Sequence, residues 1–170
     1  MYAELRSRCA IINFVNYYRK NVDMPDEIRQ QFEPPFLIKV HQVMMARRRA
    51  IAAIQKDMLR RLQVLPLKLH NVDRALIRRL ISHEVVLDVG IADGVVDVFI
   101  HYKLIPGTRE QDVDYQTRLA FEHMAGAIEK ELSASVGGAA TLQEQGITTS
   151  DEDDKVYFTI QLAAPRPDVD

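Results

Sequence analysis

At His83 the spacing of apolar residues changes from that of a helix to that of a strand. Val85, Leu87, Val89 and Ile91 occupy every second position, Asp93-Gly94 follows, and Val96, Val98, Ile100 and Tyr102 resume the alternation. A two-residue Asp-Gly loop predicts a hairpin, because both central residues of the favoured turn need positive φ. The loop pairs Ala92 with Val95. It therefore sets Ile91 opposite Val96, Val89 opposite Val98, Leu87 opposite Ile100 and Val85 opposite Tyr102. All eight apolar side chains then share one face, which a one-residue slip would destroy. On the other face Glu84 lies opposite Lys103, a favourable pair. A sheet with one apolar face must be covered by a second layer.

Helices supply that layer. Leu37, Val40, Met44, Ile51, Ile54, Met58 and Leu62 are spaced by threes, fours and one seven. That is one face of a helix, and it predicts a long central helix over about 38–64. Only Arg47 interrupts the stripe. Pro34 and Pro35 suit the start of such a helix, and Pro66 restricts Leu65 and stops it. At 1.5 Å per residue it is a rod of about 40 Å, longer than a small domain covers. Part of the stripe is therefore expected to meet another chain.

The remaining elements follow from similar patterns. Leu5, Cys9, Ile12 and Val15 predict a helix within 2–20, and Pro25-Asp26-Glu27 opens a short one. Asn71 is expected to cap a helix over 72–82 that buries Leu76, Ile77, Leu80 and Ile81. A helix over 112–132 carries Phe121, Ala125, Ile128 and Leu132 on one side, and a strand over 155–164 turns Val156, Phe158, Ile160 and Leu162 inward. Residues 133–154, small, polar and finally acidic, are read as a flexible loop, with a short strand inside it as the alternative. The fold class is α+β. A helical region 1–82 precedes an antiparallel ββαβ body 83–170, as two regions or one continuous domain.

Charge is unevenly spread. Residues 1–82 hold 16 Lys/Arg against 7 Asp/Glu, and residues 83–170 hold 6 against 17, so a net −2 conceals +9 and −11. Either the halves attract each other, within a chain or between subunits, or the basic half has a polyanionic partner such as nucleic acid. The basic patch comprises Arg47, Arg48, Arg49, Arg60, Arg61, Arg74, Arg78 and Arg79. Cys9 is the single cysteine, which excludes an internal disulfide or a thiolate metal cluster. No apolar run is long enough to span a membrane. Glu4 and the lack of a small-residue cleavage site make the N-terminus read as a first helix rather than a targeting segment. The expected location is the cytoplasm, or a particle assembled there.

Catalytic signatures are few. In the hairpin register Asp88 and Asp97 are diagonal neighbours on the polar face, roughly 7–8 Å apart at the backbone. That separation could serve a general acid and base or hold one hard cation, and His101 lies on the same face. The competing reading is a solvated sheet face, where polar residues belong. His41, His70, His83, His101 and His123 lack metal-ligand spacing. No phosphate-binding glycine loop and no nucleophile elbow occur. Neither cofactor nor metal is expected.

These patterns favour a non-enzymatic structural or assembly protein, a subunit of a homo-oligomer or larger complex. Its partners are copies of itself or other protein subunits, and a phage or viral particle component would fit. The alternative is a winged-helix-like nucleic-acid-binding regulator using the basic half. The acidic hairpin and the long link from Gln63 to Asn71 oppose that reading. A small enzyme built on Asp88, Asp97 and His101 is third.

Overall fold

A computed structural model describes residues 34–166. The helices expected over 2–20 and after Pro25, and Cys9, lie outside the described residues. The chain divides into two compact units, residues 1–50 and 51–170. The division falls within the first described helix, α1 (Pro34–Val64). Within the first unit Val40 and Met44 are buried.

In the second unit α1 ends at Val64 and tightens into a 3-10 turn, Leu65–Lys68, which contains Pro66. Helix α2 (Asn71–Arg78) follows. Its cap differs from expectation. His70 is the capping residue and uses no side chain, while Asn71 is the first helical residue and its Oδ1 accepts a hydrogen bond from Arg74. The helix also ends four residues early, because β1 begins at Ile81.

The hairpin β1 (Ile81–Ala92) and β2 (Val95–Leu104) has the register set by its turn, from Ala92 opposite Val95 to Val85 opposite Tyr102. Asp93 and Gly94 have φ of 52° and 70°, as the two-residue loop requires. Lys103 Nζ donates to Glu84 at 2.8 Å. Helix α3 (Tyr115–Val136) is capped by Asp114, whose side chain accepts from the Thr117 N–H at 2.7 Å. It stops at Gly137, whose φ of 70° suits glycine at a helix end.

The segment read as a flexible loop over 133–154 is mostly ordered as regular structure. It contains the last turn of α3 and a strand, β3 (Thr141–Thr149), so the body is ββαββ rather than ββαβ. β4 (Val156–Pro165) follows and enters the middle of a fully antiparallel sheet of order β1-β2-β4-β3.

The core lies between one face of this sheet and the helices. Val96, Val98, Ile100, Phe158, Ile160 and Leu162 are all at most 1% exposed, as are Phe121, Ala125, Ile128 and Leu132 of α3, and the Phe121 ring meets that of Phe158. α3 packs over β3 and β4, and α2 packs against α3. The opposite face of the sheet is open and mixed in character.

Candidate functional site

Five residues of the α1 stripe are buried. Val40, Met44, Ile54, Met58 and Leu62 are each at most 8% exposed within the single chain, and Ile51 is half-buried. The large apolar residues that α1 exposes, Ile38, Val43, Leu59 and Val64, are scattered around its other sides and form no second stripe.

The basic residues divide by role. Arg61 and Lys68 converge on Glu131 of α3, which is only 7% exposed, with contacts of 2.9 and 2.6 Å. Arg61 also meets Asp57 at 2.7 Å, and Arg60 meets the same carboxylate. His123 Nδ1 lies 2.9 Å from Asp73. The basic and acidic halves thus attract each other inside one chain, at least through Arg61, Lys68 and Glu131. Arg47 is half-buried, and Arg48, Arg49, Arg78 and Arg79 are exposed.

This cluster depresses two acids. Lys68, then Arg61, holds the Glu131 carboxyl below the usual carboxylate range. Arg61 above all holds Asp57 down to about 2. A carboxyl depressed by folding adds stability that is fully present above its unfolded value and is lost as pH falls through its folded value. Resistance to urea should therefore decline as pH is lowered from about 5 to about 2.5. The double variant Asp57→Asn, Glu131→Gln should be less stable at neutral pH and flatter across that window. An unchanged slope would show that other carboxyls carry the acid response.

Asp88, Asp97 and His101 occupy the open face of the hairpin, as the register places them. Asp88 is opposite Phe99 and His101 opposite Val86, both exposed apolar residues. No hydrogen bond joins the three to one another among the described residues. Nor do any three His, Cys, Asp or Glu side chains converge as a metal site among the described residues. This is a solvated sheet face.

β2 is paired with β4 along its length. Among the described residues the outer side of β1 is a free edge of the sheet. β1 has twelve residues, and from Val85 to Ala92 its pairing with β2 is regular, without proline or lysine. Sheet edges are usually blunted by bulges, prolines or charges. The only irregularity here is between Ile81 and Val85. Val85, Leu87 and Val89 point to the core face yet remain half-exposed, unlike their buried partners on β2.

One concave site was not foreseen. A cavity of about 480 Å³ opens where the end of α1, α2, the start of β1, the end of β2 and Met124 of α3 meet. Its wall includes Leu62, Leu65 and Ile77, and Tyr102, Arg74 and Arg78 also line it. Alternation alone placed Tyr102 on the inner face. That it borders a gap in the packing depends on elements distant in sequence.

No family model matches the chain, and no curated protein matches it. Among solved structures it is similar to the type 4 fimbrial biogenesis protein PilO from Pseudomonas aeruginosa, at 13% identity over 76% of this chain and 84% of that one. The TM-score is 0.24, so the two do not superpose as one fold. No helix among the described residues is long and apolar enough to cross a membrane.

Proposed function

We propose that this chain is a non-enzymatic assembly protein, a subunit of a homo-oligomer or larger complex, and that β1 is where a neighbour joins. The supporting observation is the regular free edge of β1 from Val85 to Ala92, which carries a single charge at Asp88, together with the half-exposed valines and leucine beside it. In a two-residue hairpin the residues flanking the loop exchange hydrogen bonds, so Ala92, Gly90, Asp88 and Val86 bond to β2. The N–H and C=O groups of Val85, Leu87, Val89 and Ile91 then face outward, a row of donors and acceptors for another strand. Their side chains would complete the inner face against the same partner.

Proline at position 89 removes only an outward N–H, whereas at position 88 it breaks the β1–β2 ladder. Val89→Pro should lower the mass of the assembly measured by light scattering and leave the circular dichroism of the sheet intact. Asp88→Pro should damage the fold itself. A wild-type chain that is monomeric at high micromolar concentration would remove self-association from the reading, and an assembly unaffected by Val89→Pro would remove β1.

A further inference from the structure

We infer that the cavity beside α2 binds a small anionic amphiphile, a carboxylate with an apolar body. The inference is independent of the assembly role. At about 480 Å³ the space is of the size that small-molecule sites occupy, about 300–1,000 Å³. Its interior is chiefly aliphatic, from Leu62, Leu65, Ile77 and Met124. Such a lining takes an apolar body and offers little to a sugar or a nucleotide.

The charge around it has one sign. Arg74, Arg78 and His83 line the cavity, and no aspartate or glutamate does, in a chain with more acids than bases. Arg74 and Arg78 stand four residues apart on α2, so their side chains leave the same face. Arg74 is steadied by Asn71. Arg78 is exposed and has no acidic partner among the described residues. Two neighbouring guanidinium groups suit a carboxylate, which they can grip by paired hydrogen bonds.

Tyr102 gives the second, independent observation. It lines the cavity with most of its ring buried, while its hydroxyl makes no hydrogen bond to any described residue and stays open to the cavity, where a ligand can reach it. The Tyr157 hydroxyl, by contrast, donates to Asp153 at 2.9 Å. Burial pushes the Tyr102 phenol up, so it is a neutral donor at any physiological pH. A ligand oxygen between this hydroxyl and the arginines would satisfy it.

The test uses the full chain and decanoate, with decanol and acetate as comparators. Calorimetry gives affinity, and the labelled methyl resonance of Met124 reports entry into the cavity. Decanoate should bind and shift Met124, decanol should bind about ten-fold more weakly, and acetate should not bind at a comparable concentration. Arg78→Ala should weaken decanoate about ten-fold and leave decanol unchanged. Tyr102→Phe keeps the ring in place and should weaken decanoate several-fold with little change in thermal stability. Equal affinities for decanoate and decanol, an unshifted Met124, or wild-type affinity in Arg78→Ala would each overturn the assignment.

Discussion

Phe158→Ala should destabilise the second unit by about 3–5 kcal/mol, the usual cost of emptying a buried aromatic site. Phe158 is fully buried near the start of β4. Its ring meets Phe121 of α3 with centroids 4.5 Å apart, and stacks at 6.4 Å on Tyr102 of β2. One side chain therefore joins the helix layer to two neighbouring strands. Its removal leaves a cavity bounded by regular elements that cannot easily collapse, so the cost should lie at the upper end. Against a total stability of about 5–15 kcal/mol, such a loss is a large fraction. Urea unfolding by circular dichroism would measure it as a lower midpoint at unchanged slope. A loss below about 1 kcal/mol would mean that this cluster is not the centre of the core.

Gly138→Ala should cost about 3 kcal/mol, at the high end for forcing extra atoms into a packed place. A Cβ at this position would overlap the carbonyl oxygen of Pro165, which is main chain and cannot rotate away. Gly137 is used differently. Its φ of 70° favours glycine, but a Cβ there meets nothing within 4 Å. Gly137→Ala should therefore cost only about 1 kcal/mol, from backbone strain alone. The comparison is internal to two adjacent residues. Equal losses in both variants would contradict the close approach of this link to the end of β4.

The hairpin was legible because two short-range signals agree. Asp93-Gly94 fixes the turn, and strict alternation fixes which face is buried. The long helix was legible from its stripe, although the stripe alone could not say whether its cover came from within the chain. β3 was missed for an identifiable reason. Leu142 and Ile147 are five apart, an odd spacing that puts them on opposite faces of a regular strand. The pairing shifts between Leu142 and Glu144, and this irregularity returns both residues to the face of Leu162 and Phe158. A period-two reading cannot see that. The Arg61–Glu131–Lys68 cluster joins residues 63 and 70 apart, so only the excess of charge was visible, not its partners. The cavity at Tyr102 needs five elements in place before it exists.

The order β1-β2-β4-β3 bears on how the chain is made. β4 is the last of the four strands to be synthesised, yet it fills the middle of the sheet. The hairpin of β1 and β2 can close as soon as it emerges from the ribosome, since its contacts are local. β2 must then keep its second edge open while α3 and β3 are translated, because its partner does not yet exist. β3 emerges with no strand to pair with at all. For that interval the nascent chain presents sticky edges and an uncovered apolar face, the species that chaperones intercept. The arrival of a single strand then closes both gaps together, and Arg166 N–H reaching Gly94 O at 2.7 Å ties its far end back to the first turn formed.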